Sequence, residues 1–141
     1  MNSNPKWVVR DKPRLLLALM EELAGNAHIS FEGDLRHFNL NKFAGASENE
    51  TAVLKRNTLW PTQEFVVIPL APSMGQQVLA AISGAVPWRI IHIQIERDGV
   101  LQFAAYDSFH AECLVWGPAL KTEFFESLVK QGVLEARRTK T

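Results

Sequence analysis

The sequence predicts an α+β fold, with a mainly antiparallel sheet of five to six strands and helices packed on one side of it. Apolar and polar residues alternate in AHISFEGDL (27–35) and in IIHIQIERDGVLQFAAY (90–106), as they do in half-buried strands. Leucines recur at helical spacing in PRLLLALMEEL (13–23). Helical and strand-like segments interleave along the chain, which is typical of this fold class.

Length and charge limit the classes of protein to which the chain can belong. Its 141 residues, 47% of them hydrophobic, suit one domain over 1–141, with frayed ends expected at about 1–10 and 137–141. Fifteen basic residues balance 15 acidic ones, with eight of each in residues 1–70 and seven of each in 71–141. Neither half offers a basic surface for a phosphate backbone, so no nucleic-acid partner is expected.

The single cysteine and the N-terminal apolar run predict a soluble cytoplasmic protein. One cysteine can form neither an internal disulfide nor a zinc site of several thiolates, which suits a reducing compartment. The run from Leu15 to Met20 is too short to span a bilayer. Two glutamates follow it where a signal peptide would have small residues, so no membrane association is expected.

Four helices are predicted from capping residues and apolar spacing. The first follows Asp11, and the second follows a capping box made by Ser47 and Glu50 and is expected to bury Val53 and Leu54. The third begins after Ser73, and the fourth is the amphipathic segment PALKTEFFESLVKQG (118–132). The apolar stripe expected on the fourth helix consists of Leu120, Phe124, Phe125, Leu128 and Val129.

The remaining strands are expected at EFVVIPL (64–70) and VLEARR (133–138), with CLVWG (113–117) as one more short strand. The continuous apolar run at 64–70 indicates a strand covered on both faces, with Pro69 at its end or at a sheet edge.

The hairpin around Asp98 and Gly99 admits two registers. A two-residue loop pairs Arg97 with Val100, whereas a left-handed bulge at Gly99 pairs Glu96 with Val100. We favour the bulge because it places all large apolar side chains on one face. The apolar residues expected there against the helices are Ile91, Ile93, Ile95, Leu101 and Phe103.

Polar residues on the opposite face suggest one acid–base hypothesis. His28 and Glu32 share the wet face of one strand, and His92 and Tyr106 share that of the hairpin. A small hydrolase or nuclease could use His92 as general base, Glu32 from an adjacent strand to orient its ring, and Tyr106 or His28 as acid or electrostatic partner. Glu96 lies four residues from His92 on the same strand, about 13 Å away, which is too far for contact. The hypothesis therefore requires neighbouring strands, and RHFNLNKFAGAS (36–47) is the long loop expected to cover an otherwise open sheet face.

The sequence gives little indication of nucleophilic catalysis, metal binding or phosphate binding. Cys113 opens an apolar run and is expected to behave as a small hydrophobe rather than a nucleophile. His110 and Glu112 could supply two metal ligands without a third, and no phosphate-binding loop is present. We therefore assign no catalytic residue, and we expect neither a metal nor a cofactor.

Four tryptophans, Trp7, Trp60, Trp88 and Trp116, lie at the ends of predicted elements beside turns or prolines. Tryptophan buries a large area at small entropic cost and is enriched at interfaces. We expect Trp60, Trp88 or Trp116 to contact a protein partner, and homo-oligomerisation is left open.

At HISFEGDL, ASENETAVLKRNTLWP, IIHIQIERDGVLQFAAYDSFH and LVKQGVLEARR the chain resembles a group of short, uncharacterised bacterial proteins, over most of residues 13–138. The resemblance implies a bacterial single-domain protein and brings no catalytic residues. In size, single-domain form and lack of a catalytic signature, the chain is also similar to small immunity proteins, which bind and neutralise a toxin. The leading hypothesis is thus a non-enzymatic protein-binding protein, such as an immunity protein or inhibitor, with the hydrolase or nuclease as the alternative.

Overall fold

The computed structural model describes residues 6–82 and 89–137. Seven strands are present in these ranges: β1 (Lys6–Val9), β2 (Ala27–Gly33), β3 (Glu64–Pro69), β4 (Ile90–Arg97), β5 (Val100–Ala105), β6 (Leu114–Trp116) and β7 (Leu134–Arg137). Three α-helices accompany them: α1 (Lys12–Leu23), α2 (Gly75–Ala81) and α3 (Thr122–Lys130). Two short 3₁₀ turns span Leu40–Lys42 and Ala111–Cys113.

The strands form two antiparallel sheets. The larger sheet has five strands in the order β3-β2-β4-β5-β6, and β1 pairs with β7 in a separate two-stranded sheet. This arrangement confirms the predicted α+β class with a mainly antiparallel sheet. The prediction of a frayed segment at 1–10 is wrong for residues 6–9, because their backbone pairs with β7. Within the two described ranges, no helix has the length and apolar character needed to cross a membrane.

The main core lies between the helices and one face of the larger sheet. The α1 stripe of Leu15, Leu16, Leu19, Met20 and Leu23 is fully buried, and the Asp11 carboxylate accepts the Arg14 amide at 3.1 Å as predicted. Side chains from α2 and α3 join the same apolar cluster as β2, β3 and β4. The helices therefore share one side of the sheet, as expected.

The other face of the sheet is covered by residues 48–63, which we call the covering loop. It contains no helix, so the helix predicted from Ser47 and Glu50 is wrong. Ser47 Oγ accepts the Asn49 amide, and Glu50 Oε2 accepts the Arg56 amide, so both side chains form loop turns instead of a cap. The expected burial of Leu54 is confirmed, since it packs with Phe65 and Val67 on β3.

The predicted hairpin register, in which Glu96 pairs with Val100, is wrong along the whole hairpin. Arg97 pairs with Val100 across a two-residue loop in which Asp98 and Gly99 both have positive φ. The extra residue lies later, at Gln102, because Glu96 pairs with Leu101 whereas Ile95 pairs with Phe103. Because of this bulge, Phe103 lies in the main core as expected, whereas Leu101 packs on the face of the covering loop. The expected packing of Leu101 against the helices is therefore wrong.

A second bulge changes which isoleucine of β4 enters the core. Glu32 pairs with His92 and Gly33 with Ile90, so Ile91 is the extra residue and is only half-buried. Gly33 has φ +152°, and a Cβ there would lie 2.4 Å from the Arg89 carbonyl oxygen. The expected burial of Ile93 and Ile95 is confirmed, while Ile90 takes the place predicted for Ile91.

Two smaller predictions about the helices are also wrong. Ser73 does not cap α2; it lies in a turn with φ +73°, and the residue before the helix is Met74, whose side chain makes no capping bond. In α3 the expected burial of Leu128 is confirmed, but Val129 is exposed because the helix turns that side of its surface to solvent.

Candidate functional site

The predicted polar face exists, and its strands are neighbours. β2 and β4 pair so that His28 faces Glu96, Ser30 faces Gln94, and Glu32 faces His92. Apart from His28, these side chains are buried, with Glu32 only 1% and His92 only 2% exposed. The face is therefore enclosed, and the expectation of an open sheet surface is wrong.

Glu32 and His92 bind the covering loop. The two carboxyl oxygens of Glu32 accept the amides of Asn57 at 2.7 Å and Thr58 at 3.2 Å. His92 Nδ1 accepts the Asp107 amide at 3.2 Å, so the hydrogen of the neutral ring lies on Nε2, which donates to Thr58 Oγ1 at 2.7 Å. Both ring nitrogens and both carboxyl oxygens are thus engaged by the protein itself.

Gln94 continues the same network. Its amide nitrogen donates to the Lys55 carbonyl oxygen at 2.7 Å and to Ser30 Oγ at 3.3 Å. Its oxygen accepts the Tyr106 hydroxyl at 3.3 Å. Tyr106 also packs edge-on against His92, with ring centroids 5.6 Å apart. The network links β2, β4 and the covering loop through buried polar groups.

The structure brings three of the four proposed acid–base residues together. Glu32, His92 and Tyr106 meet beneath the covering loop, but His28 lies four positions further along the strand pair. That separation is about 13 Å at ~3.3 Å per residue, too far for hydrogen bonding through one water. His28 Nδ1 instead lies 2.6 Å from Glu96 Oε1. The expected cover, residues 36–47, is wrong, because residues 48–63 fill that place.

Tyr106 offers a direct test of this burial. Desolvation raises the pKa of its phenol above the ordinary value of 10.0. It is the only tyrosine, so phenolate absorbance in the near ultraviolet reports it alone. We expect the folded protein to titrate at higher pH than the urea-unfolded chain. The protonated phenol then stabilises the fold up to the unfolded pKa, and this contribution is lost as pH rises through the folded pKa. Identical midpoints in the two states would contradict the structure.

Cys113 has the environment of an inert thiol. Partial desolvation raises the pKa of the Cys113 thiol. The hydrogen bond that the thiol donates to Asp107, and the negative charge of that carboxylate, raise the pKa further. His110 Nδ1 accepts the Glu112 amide, and Glu112 also pairs with Lys6. Across residues 6–82 and 89–137, no three His, Cys, Asp or Glu side chains are grouped in a way that could hold a metal ion.

We expect Asp107→Asn to speed alkylation of Cys113 by iodoacetamide severalfold at mildly alkaline pH. Removing the negative charge lowers the thiol pKa and raises the thiolate fraction, while asparagine tolerates the positive φ of 52° found there. Asp98→Asn is the matched control, since Asp98 also has positive φ and lies in the β4–β5 turn. Equal alkylation rates in all three proteins would contradict the proposed role of Asp107.

Among residues 6–82 and 89–137, the two most exposed large apolar residues lie in the covering loop. Leu59 is 91% and Trp60 is 85% exposed, and we call this pair the apolar tip. Trp116, by contrast, is half-buried against Phe103 and Phe125, with ring centroids at 5.1 and 5.4 Å. Trp88, the third predicted binding residue, lies outside the described residues. Of Trp60 and Trp116, Trp60 has the exposure that an intermolecular contact requires.

Sequence reasoning missed Leu59 and the loop residues Asn57 and Thr58. The exposure of Leu59 could have been predicted from the sequence. Two large apolar residues precede a proline there, in an otherwise polar stretch with neither helical nor strand periodicity. Asn57 acts through its backbone amide, a contact that leaves no mark on residue type. Thr58 acts through its amide and also through Oγ1, which accepts from His92.

Comparison with known proteins adds no relative: no protein-family model, no curated protein and no solved structure matches this chain. The resemblance to short bacterial proteins and to immunity proteins therefore stays a prediction.

Proposed function

We propose that this is a non-enzymatic binding protein that inserts Leu59 and Trp60 into an apolar pocket of a protein partner. The observation that carries the proposal is the exposure of these two adjacent side chains, 91% and 85%. Tryptophan is enriched among the few residues that supply most of the binding free energy at interfaces. An inhibitor or an immunity protein would use such a tip to block a partner's cleft.

Hydrogen bonds on both sides of the apolar tip support this role. On one side, the amides of Asn57 and Thr58 are bonded to buried Glu32. On the other, Gln63 donates to the Pro61 carbonyl oxygen at 3.1 Å. Arg56 donates to the Gln63 carbonyl oxygen and so joins the two sides. A loop held in this way loses little conformational entropy on binding.

The hydrolase alternative has less support. Its base and its orienting carboxylate, His92 and Glu32, are buried and already bonded to the covering loop and Asp107. A substrate could reach them only after the loop moved away. The alternative stays a prediction, and hydrolysis abolished by His92→Ala with an unchanged melting temperature would revive it.

The test is capture of a partner followed by measured affinity. The tagged protein retains partners from a lysate of its source organism, and the purified partner is titrated calorimetrically against variants. We expect Trp60→Ala to weaken binding by about thirtyfold or more, since hot-spot truncations cost about 2 kcal/mol or more. The melting temperature should not change, because the indole is exposed.

Val115→Ala is the matched control, since Val115 is an exposed apolar residue on β6, away from the tip. A partner that binds Trp60→Ala and Leu59→Ala as tightly as the parent protein would overturn the proposal, as would the absence of any retained partner.

A further inference from the structure

A cleft of about 550 Å³ lies beside β6, the strand that ends the larger sheet. Its volume lies in the range of about 300–1,000 Å³ typical of ligand sites. Trp7 of β1 and Trp116 of β6 contribute indole rings to its walls, together with Leu114 and Ala111. The exposed ion pair of Lys6 and Glu112 lies at its rim.

The backbone of β6 has unused hydrogen-bonding groups on its outer edge. Tyr106 donates to the Cys113 carbonyl oxygen, and Gly117 donates to that of Gln102. Bonded pairs alternate in an antiparallel ladder, so Val115 points its backbone groups toward β5, while Leu114 and Trp116 point theirs outward. Among residues 6–82 and 89–137, no backbone group is hydrogen-bonded to that outer edge, which ends the sheet.

We propose that this cleft binds an extended peptide segment of a partner protein, which adds as a strand to the outer edge of β6. Donors and acceptors on alternate residues match an extended backbone, whereas a helix has already satisfied its own. Side chains of such a segment alternate in direction, so every second residue would meet Trp7, Trp116 and Leu114. The segment is therefore expected to carry apolar residues at alternate positions.

The presence of β1 in the cleft lining argues against a whole sheet as the occupant. Lys6 and Trp7 of β1 line the cleft, and β1 is itself paired with β7. A second copy would have to bring its own sheet alongside β6, and that sheet would meet β1. A single strand needs only about 4.8 Å beyond β6. This surface is separate from the apolar tip, so it goes beyond the proposed function.

The test uses random linear dodecapeptides displayed on phage and selected on the immobilised protein. We expect enrichment of peptides with apolar residues at alternate positions. Ala111→Trp should weaken their binding by at least about tenfold, because Ala111 is exposed and lines the cleft, so an indole there fills it. Two control variants should bind the peptides as the parent does: Val115→Trp, on β6 but outside the cleft lining, and Trp60→Ala in the apolar tip.

Two further measurements on the unmodified protein address backbone pairing. The alternate amides of a bound peptide form two sets, and only one set faces β6. N-methylation of that set should weaken binding at least about tenfold, because it removes the donors that reach β6, whereas N-methylation of the other set should not. Bound peptide should slow amide exchange at Leu114 and Trp116 and leave Val115, already bonded to β5, unchanged. Selection without enriched peptides, or enriched peptides that bind Ala111→Trp equally and leave exchange at Leu114 and Trp116 unchanged, would overturn the proposal.

Discussion

Replacement of Glu32 by alanine is expected to lower the free energy of unfolding by about 3 kcal/mol, since each lost hydrogen bond to a charged group costs roughly 1.5–3 kcal/mol. The change removes the acceptor of two backbone amides and leaves a void beneath the covering loop. Urea denaturation followed by circular dichroism measures the loss.

In Glu32→Ala, the covering loop should open while the rest of the protein stays folded. Lys55 and Arg56 provide trypsin sites within it, and cleavage there should become faster in Glu32→Ala than in the parent protein. Glu32→Gln, which keeps one oxygen acceptor, should lose about half as much stability. Glu126→Gln is the control, because Glu126 is exposed on α3 and should change stability by less than about 0.5 kcal/mol. Unchanged cleavage in Glu32→Ala would show that Glu32 does not hold the loop.

Gly117→Ala is expected to cost about 3 kcal/mol, at the upper end of the range for overpacking a well-packed site. A Cβ at this position would lie 2.5 Å from Gln102 Oε1, 2.6 Å from Gln102 Cα and 2.6 Å from the Leu101 carbonyl oxygen. Two of these atoms belong to the backbone of β5, so the clash can be relieved only by moving β6 away from its neighbour.

Thermal unfolding measures the cost, and amide exchange locates it. We expect β6 to exchange faster in Gly117→Ala, while β2 and β4 stay protected. Gly132→Ala is the control for loss of a glycine, since a Cβ there meets nothing within 4 Å, although its φ of +76° carries a strain penalty of its own. A Gly117→Ala protein as stable as the parent would contradict the close approach of β5 and β6.

The β4–β5 hairpin shows what the sequence could and could not predict. Alternation identified both strands and placed Ile93, Ile95 and Phe103 in the core, because burial of one face is a local pattern. The position of the bulge was not predictable locally. Gln102 Oε1 accepts the Ala119 amide at 2.8 Å, and Gly117 packs against its backbone, so distant residues select the bulge.

The candidate site, like the hairpin, could be predicted only in part from the sequence. The residue types of β2 and β4 predicted a polar face on each strand and left open whether the two strands are neighbours; the pairing of Glu32 with His92 shows that they are. Nothing in that alternation indicates whether solvent or a loop lies above the face. The capping-box pattern at Ser47 and Glu50 favoured a helix, but both side chains bond within the loop instead.

The covering loop has a consequence for how the protein responds to temperature. Its contact with the sheet is partly apolar, through Leu54, and partly polar, through Glu32, His92 and Gln94. Hydration of apolar surface raises the heat capacity, and hydration of polar surface lowers it. The two contributions oppose each other when the loop opens. The free energy of loop opening should therefore vary almost linearly with temperature. The free energy of global unfolding, which exposes the leucine-rich core, should instead follow a strongly curved profile.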